Sequence, residues 1–422
     1  MSGWSGVMPP STPPVERLAT ADWMTAAATQ AVMRALLAAG DARFVGGCVR
    51  NTILGRPIDD IDIATPLEPS AVIQALSAAG LKSVPTGLEH GTVTAIAKGR
   101  PFEVTTLRRD VATDGRRAVV AFTQDWSEDA QRRDFRLNAL YLDIDGGLYD
   151  PTGEGLADAR AGRIVFVGDA AARIREDYLR ILRFFRFFAW YGRGSPDAAG
   201  LRACAALKDG LDRLSAERVS KELLKLLGAD DPRPALALMR DGGVLAAVLP
   251  GATGLDRLDR LVALERETLG AVDAELRLAT LLPPDPAAVT RAAVRLRLSK
   301  AQRERLASAV VPQPEIGPTL PLPLARRLIY RLGAKVFADR LTLAWASLSS
   351  TDPAPWLHLL REARTWTPPT FPVTGADAAA MGLNPGPAMG DALRATEAWW
   401  VDQDFEPDRE VLLAWLGAYS RA

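Results

Sequence analysis

An α/β head followed by a long all-helical remainder is the fold class that the sequence predicts. Strand-like runs of Val, Ile, Thr and Phe cluster in roughly the first 150 residues, and helical patterning takes over from about residue 155. Breaks at 192–196, 230–234, 283–286, 312–323 and 367–375 punctuate the helical part. At 422 residues the chain exceeds one ordinary core, so two to four domains are expected. No internal repeat is evident.

Taken in order, the first 14 or so residues are rich in Pro, Ser and Gly and should be disordered. A helix is expected over 23–39, closed by Gly40, and short strands over 43–45, 58–64, 92–98, 102–107 and 140–144. The run Phe44-Val45-Gly46-Gly47-Cys48-Val49-Arg50 feeds an apolar strand into a Gly-Gly turn. Such a turn brings bare backbone N–H groups up to a phosphate, and Arg50 adds a cation. Ten residues later comes Asp60-Ile61-Asp62. On an extended strand Asp60 and Asp62 share one face while Ile61 and Ile63 enter the core. Paired carboxylates hold divalent metal, which polarises an attacking hydroxyl and stabilises the departing oxygen of an in-line displacement. Alone, either half also reads as a plain turn or as the wet side of an edge strand. Together, in this order, they point to activation of a nucleoside triphosphate.

Three further clusters bear on the site. Phe102-Glu103-Val104-Thr105-Thr106 alternates as a strand and puts Glu103 on its polar face, as a third carboxylate or as an ordinary surface glutamate. The segment Arg132-Arg133-Asp134-Phe135-Arg136-Leu137-Asn138-Ala139 suits a triphosphate and ribose, with Arg133 on phosphate and Asp134 or Asn138 on sugar hydroxyls; it also suits a salt-bridged helix. In Glu176-Asp177-Tyr178-Leu179-Arg180, continuing through Arg183 and Arg186, the charges punctuate an otherwise apolar helix and require partners. At helical spacing Asp177 and Arg180 are neighbours. A carboxylate accepting from an exocyclic amino group beside a guanidinium donor selects adenine or cytosine over guanine or uracil. An ion pair knitting two helices is the competing reading.

Composition narrows the class. Two cysteines, Cys48 and Cys204, make neither a disulfide framework nor a structural zinc site, and two histidines, His90 and His358, leave little for a histidine-based centre. There is no signal-peptide layout and no uncharged run of membrane-spanning length, so a soluble cytoplasmic enzyme with no membrane partner is expected. Formal net charge is zero, yet six Arg face three acidic residues between Arg163 and Arg186. Further basic stretches run through Arg291 to Arg305 and Arg326 to Arg340, as phosphate-tracking patches or as solvated helix faces.

The motif series as a whole resembles the bacterial class II tRNA nucleotidyltransferase and poly(A) polymerase superfamily. It comprises Gly46-Gly47-Cys48-Val49-Arg50, Leu54-Gly55, Asp60-Ile61-Asp62, residues 87–94, Glu103-Val104-Thr105-Thr106, Arg132-Arg133-Asp134-Phe135 with Asn138-Ala139, and Glu176-Asp177 with Arg180, Arg183 and Arg186. Order and spacing match over about residues 40–230, and more weakly at Thr374-Gly375-Ala376-Asp377 and Pro385-Gly386-Pro387. The resemblance implies a polymerase β-like nucleotidyltransferase head over 21–150 after a disordered 1–20, then an all-α neck over 151–230, body over 231–310 and tRNA-binding tail over 311–422.

By resemblance, Asp60 and Asp62 bind Mg2+ and are catalytic together with Glu103. Gly46, Gly47, Arg50 and Arg133 contact the triphosphate, with Asp134 and Asn138 beside them. Asp177 and Arg180 read the base, and Arg183 and Arg186 are further nucleotide-binding arginines. Residues 109–120 match the flexible head loop that accompanies addition of the terminal adenosine. Asn51 stands where the family often has Asp, and Arg136 where it often has Thr or Leu. The expected activity is template-independent addition of CCA to the 3′ end of tRNA from CTP and ATP. A poly(A)-polymerase or A-adding enzyme, and a non-catalytic tRNA-binding protein, are the alternatives. Oligomeric state is left open, a monomer included.

Overall fold

A computed structural model describes residues 13–113, 118–348 and 352–420. The chain divides into two compact units, one running up to Pro250 and the other starting at Gly251. The first holds every described strand: β1 (Glu16–Arg17), β2 (Arg43–Val45), β3 (Asp62–Thr65), β4 (Lys82–Gly87), β5 (Thr92–Ala97), β6 (Arg100–Thr106), β7 (Arg108–Thr113), β8 (Ala118–Phe122), β9 (Tyr141–Leu142) and β10 (Gly147–Tyr149).

Eight strands form one sheet in the order β1-β10-β9-β2-β3-β6-β5-β4, and β7 pairs with β8 apart from it. At its centre β2 and β3 run antiparallel, with Val45 opposite Asp62, while β3 and β6 run parallel, with Asp62 beside Glu103. That register sets the acidic side chains next to the end of β2. Helices Ala27–Leu37 and Pro69–Ala78 pack on one another and on β5, burying Val32, Met33, Leu36, Val72 and Leu76 beneath the sheet.

The sheet passes into the helical part of this unit through aromatic packing. Phe135 lies 4.8 Å from Phe166 and 5.1 Å from Phe187, ring centroid to centroid. Helix Leu179–Tyr191 packs against Ala216–Leu227 and Arg233–Asp241. Its Ile181, Leu182, Phe184, Phe185 and Phe188 face inward and leave the arginines between them to find polar partners. The second unit is helical throughout its described residues. One of its cores gathers Phe337, Leu341, Trp345 and Trp356, another Val373, Trp400, Leu412 and Leu416. No helix among the described residues is long and apolar enough to cross a membrane.

Several elements differ from the sequence expectation. The helix expected over 23–39 is two, Asp22–Thr25 and Ala27–Leu37, broken where Ala26 turns extended. The Gln30 side-chain amide donates to the freed Met24 carbonyl at 2.9 Å. The strand expected over 58–64 begins only at Asp62, because pairing with β2 and β6 starts there, so Asp60 precedes the ladder. Ile61 and Ile63 are buried as the alternation requires. Only Tyr141 and Leu142 of the stretch 140–144 enter the sheet. Residues 1–12 lie outside the described residues, but Glu16 and Arg17, inside the stretch expected to lack structure, pair with β10. Residues 114–117 of the head-loop segment also lie outside the described residues; the backbone on either side forms the β7–β8 ladder.

Candidate active site

Strand β2 runs into Gly46, whose φ of +73° suits glycine and strains other residues. An ideal Cβ on Gly46 would stand 3.8 Å from Arg133 Nη1 and 3.9 Å from Asp62 Oδ2, so the turn, a cation and an aspartate converge. The chain then enters helix Gly47–Ile53, which carries Arg50.

Burial, with like charge from Glu103 and Asp60 against the opposing pull of Arg133, pushes the Asp62 carboxyl up to about 6. Asp60 and Glu103 are exposed on either side of it. Among the described residues no group of three His, Cys, Asp or Glu side chains is already arranged to hold a metal. The crowding of carboxylates around half-buried Asp62 is nonetheless what a divalent cation relieves, so this donor set fits one.

Arg133 is held from behind. Asp129, buried to 1% exposure, accepts from Arg133 Nη2 at 2.8 Å, from Arg132 Nε at 2.8 Å and from the Tyr141 hydroxyl at 2.7 Å. Burial alone would raise the Asp129 carboxyl, but the two guanidiniums and Tyr141 hold it well below the usual carboxylate range. Two cations thus share one carboxylate.

A second chain of bonds runs from the sheet into the helices. Arg50 Nη1 donates to Asn138 Oδ1 at 2.6 Å, Asn138 Nδ2 to Asp134 Oδ1 at 3.1 Å, and Arg183 Nε to Asp134 Oδ2 at 2.7 Å. Arg183 Nη1 also stands 3.9 Å from Glu222, which accepts from Arg186 Nε at 2.5 Å. Asp134 therefore has protein partners on both oxygens. Burial works against its charge, yet Arg183, Asn138 and the Phe135 N–H hold it down at about 2.

The structure separates the two residues expected to act as a pair. Asp177 ends helix Ala170–Glu176 in an extended conformation, and Arg180 belongs to the next helix. Asp177 Oδ2 accepts from Arg218 Nη2 at 2.8 Å, whereas Arg180 Nη1 donates to Glu176 at 2.6 Å and Nη2 to the Arg132 carbonyl at 3.0 Å. No side-chain bond between Asp177 and Arg180 is seen; the Arg180 N–H donates to the Asp177 carbonyl at 3.0 Å. The two stand side by side with separate supports.

Residues 42–165 match the model of the poly A polymerase head domain, and 197–255 that of the probable RNA and SrmB-binding site of polymerase A. The mitochondrial CCA tRNA nucleotidyltransferase 1 of Mus musculus is 33% identical over 408 residues, covering 89% of this chain and 86% of the mouse protein. The chain belongs to the CCA-adding enzyme family. A Limosilactobacillus fermentum CCA-adding enzyme is 34% identical over 399 residues, covering 90% of this chain and 94% of that one. The crystal structure of the Bacillus stearothermophilus CCA-adding enzyme in complex with CTP superposes with a TM-score of 0.77 at 30% identity, over 93% of this chain and 97% of that one. The expected fold class, an α/β nucleotidyltransferase head with an all-α remainder, is met.

In this CCA-adding family member several supporting residues escaped the sequence reading. Asp129 had a signal, since it precedes Arg132 and Arg133 by three and four positions. Tyr191 shares a helical face with Arg183 and Phe187 at intervals of four, a pattern that core packing equally produces. Arg218 and Glu222 lie about 40 residues from the groups they hold, and only the fold brings them there.

Proposed function

We infer that this nucleotidyltransferase adds C, C and A to the 3′ end of tRNA, taking CTP and ATP and releasing pyrophosphate. The observation that carries the reading is the junction at Gly46, where Arg133 and the crowded Asp62 carboxylate meet beside an Arg50 that has no carboxylate of its own. Arg50 and Arg133 bind the triphosphate, and Asp60 and Asp62 would hold a divalent cation, magnesium in this reading. When bound, that ion neutralises charge at the α-phosphate and lowers the pKa of the attacking hydroxyl. The tRNA 3′ oxygen forms the new bond to the α-phosphorus, the bond to the bridging oxygen breaks, and pyrophosphate leaves.

Asp177 accepts from the amino group that adenine and cytosine share, and Arg180 donates to the neighbouring acceptor. Because protein groups make this choice, no nucleic-acid template is needed. Arg218 and Glu176 orient the two readers. Glu103 sets the charge around Asp62, and Asp134, Asn138, Arg183 and Arg186 tie the phosphate side to the base side. The helical remainder grips RNA by backbone and shape. Both cysteines are free thiols and buried, which suits the reducing cytoplasm.

The test is incorporation with magnesium on tRNA transcripts ending before, within and after CCA, offered CTP, ATP or both, with sequencing of the 3′ ends. Products that stop at CCA are expected. Addition of A only to CC ends, or long A tails, would replace the reading by an A-adding or polyadenylating one.

A further inference from the structure

Arg50 is 7% exposed and its guanidinium makes four hydrogen bonds, none to a carboxylate. Nε and Nη2 donate to Asn51 Oδ1 at 3.2 and 2.9 Å, Nη1 to Asn138 Oδ1 at 2.6 Å, and Nη2 to the Tyr191 hydroxyl at 2.8 Å. The carboxylate whose charge it feels, Asp134, is itself engaged by Arg183. Tyr191 does more than accept a bond. The Arg50 Cζ lies 4.1 Å from its ring centroid, and the Arg56 Cζ lies 4.8 Å from the same centroid.

The local chain explains why Arg56 is there. Gly55, at φ +62°, turns the backbone at the end of helix Gly47–Ile53, and the Arg56 N–H meets the Asn51 carbonyl at 2.9 Å. The Asn51 side chain then clamps the turn, accepting from Arg50 with Oδ1 and donating from Nδ2 to the Pro57 carbonyl at 2.7 Å. A carboxylate in its place accepts but cannot donate. Two guanidiniums are thus set against one ring, and among the described residues neither forms an ion pair. The Tyr191 hydroxyl accepts from Arg50, and its own proton meets no acceptor there. Uncompensated buried charge is costly, and a polyanion is the partner that removes the cost.

We propose that Tyr191 and Arg56 form the outer wall of a polyphosphate cradle centred on Arg50, Tyr191 donating its hydroxyl proton to a phosphate oxygen and Arg56 supplying a second charge. The proposal rests on the nucleotidyl-transfer reading above and adds two residues to it. Tyr191 touches substrate and also positions Arg50; Arg56 binds the distal phosphates and the pyrophosphate that leaves.

Steady-state addition to a tRNA transcript lacking CCA tests this through the KM for CTP and for ATP and through inhibition by pyrophosphate. Tyr191→Phe keeps the ring and removes the hydroxyl, both the proton offered to phosphate and the oxygen that accepts from Arg50, so the KM for both nucleotides and the inhibition constant of pyrophosphate should each rise about tenfold, by a larger factor than kcat falls. Arg56→Gln should raise the same constants, and Arg56→Lys should recover part of the loss. A purely structural Tyr191 would instead lower the melting temperature and leave both constants alone, and that result overturns the proposal. Equal constants in Arg56→Gln and the parent overturn it as well. If the parent protein adds no nucleotide, the functional reading fails separately. Calorimetric titration with pyrophosphate then decides the cradle by itself: a Kd about tenfold higher in Tyr191→Phe supports it, and an unchanged Kd overturns it.

Discussion

Two arginine clusters, one in each compact unit, are treated in opposite ways. In the second, Arg305 sits among three carboxylates: Nε meets Asp339 at 2.8 Å, Nη1 meets Glu275 at 2.7 Å, and Asp273 closes the set. Arg277, fully buried, meets Glu265 at 2.6 Å. In the first unit Arg50 is buried among two amide oxygens and a phenol, and Arg132 and Arg133 divide a single Asp129. The balanced charge around Arg305 serves architecture. The charge left over around Arg50 is poised for an anion, and it lies beside crowded carboxylates poised for a cation.

The contrast breaks most visibly at the acidic side. Asp62→Ala should lower nucleotide addition about a thousandfold or more, the several kcal/mol that a metal site supplies, while a gel-shift assay finds tRNA bound as before. Turnover near the parental rate would remove Asp62 from the chemistry. Next in size is the balanced cluster: Arg305→Met leaves Asp273 and Asp339 with Lys335 as the nearby cation and Glu275 with the Gln302 amide, and denaturant unfolding should report a loss of roughly 3 kcal/mol. The KM for CTP should stay within about twofold, because this cluster serves architecture. A large KM change there would erase the distinction between the two clusters.

Asp134 sharpens the comparison through pH. Its carboxyl sits at about 2, below the ordinary value near 3.9 of an unfolded chain. A depressed carboxylate stabilises the folded state fully above the unfolded value and loses that contribution as pH falls from about 4 through 2. Roughly 2 kcal/mol is at stake, read as the difference in unfolding free energy between the parent and Asp134→Asn at pH 6 and at pH 3. The gap should narrow on acidification. A gap independent of pH would mean that the Arg183–Asp134 bond is incidental.

Much of this was legible in the sequence, and the limits have physical causes. The Gly46 turn, buried Ile61 and Ile63, and the strand carrying Glu103 follow from alternation and glycine chemistry. The start of β3 was not legible, because pairing with β2 and β6 rather than the identity of residues 58–61 sets it. Strand β4 was missed since its Lys82, Pro85 and Thr86 are exposed on a sheet edge and give no apolar signal. Asp177 and Arg180 looked like helical neighbours, yet the helix breaks at Asp177, whose partner Arg218 arrives from 41 residues away. Local rules reach side chains within a turn or a strand; support from distant helices has no sequence signature.

The smallest effect lies at Asn51, and it tests the unbalanced charge most directly. Asn51 already touches Arg50, so replacing its amide by a carboxylate changes charge with almost no change in size. Asn51→Asp gives Arg50 the internal counter-ion it lacks and removes the donor to the Pro57 carbonyl, loosening the turn that carries Arg56. Both changes weaken polyphosphate binding. Asn138 and Tyr191 still hold Arg50, so the loss should be modest, about threefold in the KM for CTP and in the inhibition constant of pyrophosphate, under 1 kcal/mol. Tighter binding in Asn51→Asp would show that Arg50 needs fixing in place more than it needs free charge. The neutral surroundings of Arg50 would then count as tolerance of a substitution, and the division between balanced and unbalanced arginines would rest on Arg56 and Arg133 alone.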